Sequence, residues 1–164
     1  MAEYHILPMT KEQAEKIITW RYQPPYGVYD LAPEDLNGFM NPDYRYHALL
    51  DQAGELVGYC CYGKDAQVPG GDYSRSEPGV LDVGVGLHPD LTGQGRGRAF
   101  VTAVLQYARK VYNPDVFRVT VADFNQRSLN TFRKLGFEVT AHFVRRPDSM
   151  PFTQLERSAY ESTG

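Results

Sequence analysis

Thr92, Gly93, Gln94, Gly95, Arg96, Gly97 and Arg98 combine three alternating glycines with two arginines. Apolar residues at helical spacing follow: Phe100, Val101, Val104, Leu105 and Ala108. A helix beginning there presents unpaired N–H groups and the positive end of its dipole. Glycines strip side chains from the approach, so an anion can come close to those amides. Phosphate or pyrophosphate is the natural guest, with Arg96 and Arg98 adding positive charge and Gln94 adding amide donors. Two common phosphate loops do not fit. No lysine followed by serine or threonine closes the stretch, and Gly-x-Gly-x-Gly is not the Gly-x-Gly-x-x-Gly of a dinucleotide site. The plainer alternative is that the glycines only make a turn and a tight helix–sheet contact.

Asp82 is a lone carboxylate in the otherwise apolar run "GVLDVGVGL". Strand alternation sets it on the face opposite Leu81, Val83, Val85 and Leu87. Burial would strengthen it as a proton acceptor, so it is the candidate general base, directly or through a water. Its alternative role is to pair with an arginine or to orient an amine. His5 and His88 have no partners at metal-ligand spacing, so no metal is expected. His47 and His142 read as ordinary strand residues.

The elements that must position these groups follow from local patterns. "EYHILPM" predicts a strand and "TKEQAEKIITW" a helix with a capping box, Thr10 to Gln13. Two prolines and a glycine in "RYQPPYGVYD" end that helix, and "APEDLNGFM" predicts a second short one. "YHALLD" and "ELVGYCCYG" predict a hairpin, followed by a long polar loop over Lys64–Pro78. A strand over Leu81–Leu87, a helix ending near Tyr112 and the strand "VFRVTVAD" form a β-α-β unit. A helix from near Asn125 to Gly136, a good left-handed C′ residue, precedes two final strands. The order β-α-α-β-β-β-α-β-α-β-β implies a mixed α+β sheet with helices on both faces.

The stretch "GLHPDLTGQGRGRAF" resembles the acyl-CoA signature of the GNAT N-acetyltransferase superfamily, and "VADFNQRSLNTFRKLGF" resembles that superfamily's strand–Asn–helix–Gly-Phe block. Thr92 departs from the usual Arg or Gln at the first signature position. The resemblance implies a GNAT-like, mostly antiparallel sheet and acetyl-CoA as co-substrate. Leu81–Leu87 would splay from Val116–Ala122, and pantetheine would pair with backbone near Leu87 and His88. The pyrophosphate would sit on the N–H groups of Gln94, Gly95, Arg96, Gly97 and Arg98, with Thr92, through its hydroxyl, and Gly93 also binding the cofactor. Asn125 falls at a cofactor-contacting position and is equally a good helix N-cap. Phe132 stands seven residues after Asn125, where many relatives carry a tyrosine that protonates the leaving thiolate. Tyr22, Tyr26 and Tyr29, with Trp20 nearby, occupy the region that walls the acceptor site in this superfamily. Aromatic walls suit an amine, and Glu34 and Asp35 would add negative charge. The alternative is that these tyrosines cover a sheet edge.

Composition sets the outer limits. The chain has 164 residues, 42% hydrophobic, with net charge −3. That predicts one domain over 1–164 and argues against disorder and nucleic-acid binding. No apolar run spans a bilayer and the first residues lack a signal-peptide core, so a cytoplasmic location without membrane attachment is expected. The adjacent Cys60 and Cys61 should point to opposite faces, reduced and unpaired. Exposed edge strands near the C-terminus are compatible with a homodimer. The expected activity is acetyl transfer from acetyl-CoA to a primary amine, on a small molecule or peptide, by direct attack. The pattern is nearest to ribosomal-protein-alanine acetyltransferase-like members. Two other readings remain: a catalytically weak acyl-CoA sensor, favoured by Phe132, and a nucleotide-binding module.

Overall fold

The computed structural model describes residues 4–75 and 79–160, so the last three residues of the Lys64–Pro78 loop and the first of "EYHILPM" lie outside the described residues. Seven strands form one sheet: β1 (His5–Pro8), β2 (His47–Leu50), β3 (Leu56–Tyr62), β4 (Val80–Leu87), β5 (Val116–Ala122), β6 (Glu138–Val144) and β7 (Pro151–Ser158). Their spatial order is β1-β2-β3-β4-β5-β7-β6. Every neighbouring pair is antiparallel except β4 and β5. The helices are α1 (Lys11–Ile17), α2 (Leu36–Met40), α3 (Gly97–Tyr112) and α4 (Gln126–Lys134).

Local signals account for the element ends. Thr10 accepts from the Gln13 N–H, and Gln13 Oε1 accepts from the Thr10 N–H at 3.0 Å, completing the capping box. α1 stops at Ile17, earlier than its apolar spacing suggests. Thr19 and Trp20 close a tighter turn onto the Lys16 and Ile17 carbonyls, and Trp20 turns to pack on Tyr59. Asn113, at φ 48, ends α3 with its N–H on the Arg109 carbonyl. Gly136 follows α4 at φ +92, a conformation that favours glycine.

Period-two alternation divides the layers. Leu81, Val83, Phe117, Val119 and Leu155 face α3 and α4, joined by the buried stripe Phe100, Val101, Val104, Leu105 and Ala108. Each fully buried apolar side chain of this kind contributes about 1.5–3 kcal/mol. On the opposite face α1 and α2 build a smaller core from Met9, Ala14, Ile17, Phe39 and Ala48. Cys60 packs in the larger core, whereas Cys61 lies on the other face beneath Gly84. Both thiols are unpaired, as alternation requires.

Gly86 has a packing reason. A Cβ there would lie 2.2 Å from Tyr59 Cζ, so the bare backbone lets the tyrosine ring lie against β4. Gly86→Ala should therefore cost about 1–3 kcal/mol through overpacking. Gly27→Ala, where nothing lies within 4 Å, should stay within about 0.5 kcal/mol. Urea unfolding of the two variants tests the contrast, and equal midpoints would refute it.

Candidate active site

β4 and β5 pair only over Val80↔Val116, Leu81↔Phe117 and Asp82↔Arg118. Beyond that rung β4 stays with β3 as far as Leu87↔Gly58, while β5 stays with β7 as far as Ala122↔Phe152. The sheet opens into two wings. The Asp82 carbonyl accepts from the Gly63 N–H, and the His88 N–H donates to the Val57 carbonyl, both at 2.8 Å. Alternation along β4 therefore turns Val83, Val85 and Leu87 toward β5: the Val83 N–H closes the last rung on the Arg118 carbonyl, and the Val83 C=O and the backbone groups of Val85 and Leu87 face the opening. A cleft of about 660 Å³ fills it. Phe100, Val101 and Phe132 line the α3/α4 side, and Tyr22, Tyr26 and Tyr29 the other. The cleft is thus lined from both faces of the sheet.

At one mouth stands the glycine loop. Gly93 and Gly95 have φ +72 and +75, which expose successive amides before α3. Gly97 begins α3, and a Cβ there would lie 3.3 Å from Thr131 Oγ1. Thr92, Gly93, Gly95, Arg96, Gly97 and Arg98 all line the cleft. Sequence reasoning missed Arg127, which reaches this loop from α4. Its guanidinium lies 3.4 Å from where a Gly93 Cβ would be and stacks 4.5 Å over the Tyr26 ring. Two positions earlier, Asn125 caps α4, its Oδ1 accepting from the Ser128 N–H at 3.1 Å, and its Nδ2 donates to the Tyr29 hydroxyl. It fills the cap role and lines the cleft as well.

Three expected ligands of the loop are engaged locally. Thr92 Oγ1 donates to the Pro89 carbonyl at 2.8 Å. Gln94 Nε2 donates to the Asp90 carbonyl at 2.6 Å, and His88 Nδ1 accepts from the Asp90 N–H. Neither Gln94 nor His88 lines the cleft. His88 instead packs at a tilt against Trp20, which belongs to the α1/α2 core and not to the cleft wall. Asp35 caps its own turn by accepting from the Ala32 N–H.

The expectation for Asp82 is corrected. It is buried as foreseen, but Arg118 Nε donates to Oδ1 at 2.6 Å, Arg118 Nη2 to Oδ2 at 2.8 Å, and Gln67 Nε2 to Oδ2 at 3.0 Å. Asp82 and Arg118 are 3% and 2% exposed. Both carboxylate oxygens are thus engaged by buried donors, and Asp82 does not line the cleft where an amine would enter. Its alternative role, pairing with an arginine, is the one the structure shows.

The aromatic wall is continuous. Tyr22 and Tyr29 meet edge to face, Tyr26 stacks on Tyr29, and Phe124 contacts Tyr26 and Tyr29 with centroids 5.8 Å apart. The Tyr22 hydroxyl donates to the Leu87 carbonyl at 2.8 Å, tying this wall to β4. Burial, with Asp30 second, pushes the Tyr22 phenol up to about 12, and burial also raises Tyr29. Both phenols are therefore protonated donors at neutral pH.

A family model described as the acetyltransferase (GNAT) family matches residues 12–137. The chain belongs to the GNAT acetyltransferase family. Solved structures share the fold. An acetyltransferase (GNAT family) from Bacillus anthracis superposes with TM-score 0.75 at 15% identity, covering 97% of this chain and 96% of that one. A spermidine N-acetyltransferase SpeG chimera from Vibrio cholerae and hSSAT gives 0.72 at 14% identity over 96% of each chain. AAC(6')-Ib in complex with paromomycin and acetyl-CoA gives 0.76 at 17% identity, covering 98% and 97%. None of the curated proteins matches the chain in sequence. In this GNAT chain Phe132, 3% exposed, packs edge to face on Phe137 and lines the cleft. Burial pushes the Cys60 thiol up to about 12 and raises Cys61 further. Neither cysteine is a thiolate nucleophile at neutral pH.

Proposed function

We propose that this GNAT acetyltransferase binds acetyl-CoA in the β4/β5 opening and transfers the acetyl group directly to a primary amine entering past Tyr22, Tyr26 and Tyr29. The observation that carries this reading is the cleft between the two wings of the sheet, lined by a glycine–arginine loop and by an aromatic wall that Arg127 joins to it. The residues fit the donor. The Gly93–Gly97 amides, Arg96, Arg98 and Arg127 suit a diphosphate, and the β4 backbone of Val85, beyond the last rung and short of the Leu87 carbonyl that Tyr22 holds, suits pantetheine and the thioester. The Val85 N–H is placed to support the carbonyl oxygen as charge builds on it. The buried, protonated cysteines favour direct attack over a thioester on the protein. AAC(6')-Ib, whose fold is shared, was solved with acetyl-CoA. A cytoplasmic single-domain protein fits this reading, and among the described residues no helix is long and apolar enough to cross a membrane.

The acceptor belongs to the primary amines. Spermidine and aminoglycosides are acceptors named for the similar folds, and a peptide beginning with alanine represents the ribosomal-protein subtype. A thermal-shift comparison of CoA, ATP and NAD, followed by thiol release from acetyl-CoA across those three amines and phenethylamine, tests the proposal. CoA alone should stabilise the chain, and thiol should appear only when an amine is present. Stabilisation by ATP or NAD instead of CoA would overturn it. Phe132 favours a second reading, a CoA-binding sensor, which predicts stabilisation by CoA with no thiol release from any amine.

A further inference from the structure

Thr120 lines the cleft from β5, two residues beyond the last β4/β5 rung, on the strand face shared with Arg118. Its Oγ1 lies 2.8 Å from the Tyr73 hydroxyl, and that hydroxyl accepts from the Val68 N–H at 3.0 Å. Either hydroxyl can donate in this pair, and the arrangement that keeps the phenol oxygen to the one bond it accepts from Val68 has the Tyr73 O–H donating to Thr120 Oγ1. Thr120 Oγ1 accepts it, and its own proton has no other side-chain or backbone acceptor recorded among the described residues. The direction left for it is the cleft. Tyr73 is itself held: the Arg118 guanidinium stacks 4.8 Å over its ring, and Asp82 holds Arg118 on two oxygens. Asp82, Arg118, Tyr73 and Thr120 form one chain of contacts behind the point where the sheet opens.

Resting on the acetyltransferase reading above, we propose that Thr120 is a second donor to the thioester carbonyl oxygen, opposite a β4 N–H, and that Tyr73 is its positioning residue. Oxyanion sites work by fixed donors aimed at the developing charge. One wing of the opening supplies the backbone N–H of Val85, the first beyond the last rung, and the other supplies the Thr120 O–H. As the amine nitrogen forms the N–C bond, the carbonyl electron pair moves onto oxygen, where Thr120 and the β4 amide donate to it. The pair returns as the C–S bond breaks and sulfur leaves with its electrons. The amine proton passes to water, and Thr120 keeps its own proton throughout.

The test uses the full chain with acetyl-CoA labelled at the acetyl carbonyl carbon. Isotope-edited infrared spectra read the carbonyl stretch of the bound thioester, which needs binding but no acceptor. Thr120→Val should shift that stretch to higher wavenumber, leave CoA affinity within about twofold, and slow acetyl transfer about 100-fold, the loss typical of one such donor. Thr120→Ser should restore both the stretch and most of the rate, which a purely structural role would not require. Tyr73→Phe should produce a smaller shift in the same direction. An unchanged stretch in Thr120→Val, with transfer within twofold of the parent, overturns the Thr120 assignment alone. Failure of the parent chain to bind acetyl-CoA overturns the acetyltransferase reading first.

Discussion

Asp82→Ala should lower the stability of the chain by about 3–5 kcal/mol, because it leaves Arg118 charged and unpaired in the interior. The pair is buried on both sides and bidentate, with Gln67 as a third partner. Its place matters as much as its burial, since Asp82↔Arg118 is the last rung joining β4 to β5. Loss of the rung should loosen the start of the opening and release the ring of Tyr73. Removing both charges together, as Asp82→Leu with Arg118→Met, should recover most of the lost stability, because no uncompensated charge remains. Urea unfolding of the single and double variants gives the comparison, with the coupling read from the cycle. An unaltered unfolding midpoint in Asp82→Ala, together with lost acetyl transfer, would restore Asp82 to the role of base and sink the structural assignment.

The second large effect belongs to the other mouth. Arg96→Glu combined with Arg98→Glu should weaken CoA binding about 100-fold. Each reversal removes an exposed charge contact worth up to about 1 kcal/mol and adds repulsion, together about 2.7 kcal/mol or 100-fold. Both arginines are exposed, so the unfolding midpoint without ligand should barely move. The deficit should shrink as salt rises, since exposed charges are screened beyond about 10 Å at 0.1 M. Arg127→Ala should add a smaller loss, because its guanidinium packs over Gly93 from α4 and is held against Tyr26. Calorimetric titration with CoA at two salt concentrations measures all of this. Affinity unchanged by the double reversal would remove the glycine loop as the diphosphate site.

Most of the scaffold was legible residue by residue. Alternation in "GVLDVGVGL" marks β4 and its two faces, and that alternation alone places Asp82 and Gly86 away from Leu81 and Val83. The Thr10–Gln13 box and Gly136 mark helix ends, because capping involves residues three or four apart. The glycine–arginine stretch announces an anion site for the same reason: backbone φ and the first turn of a helix are local matters.

Side-chain partnerships were not legible. Arg118 is 36 residues from Asp82, and Tyr73 is 47 from Thr120. Nothing in either neighbourhood distinguishes a buried carboxylate awaiting a proton from one clasped by a guanidinium. The difference lies in the parallel register of β4 against β5, and that register depends on α3 packing across the sheet between them. The interleaving of β7 between β5 and β6 is of the same kind. So is the use of Thr92, Gln94 and His88 within their own turn, since their donors and acceptors suit a ligand and a neighbouring carbonyl equally well. The sequence by itself determined the elements, their faces and the anion loop, because these depend on contacts within a few residues. Only the tertiary structure decided which polar groups face the cleft and which are bound to one another, because pairing over tens of residues is set by strand register and helix packing.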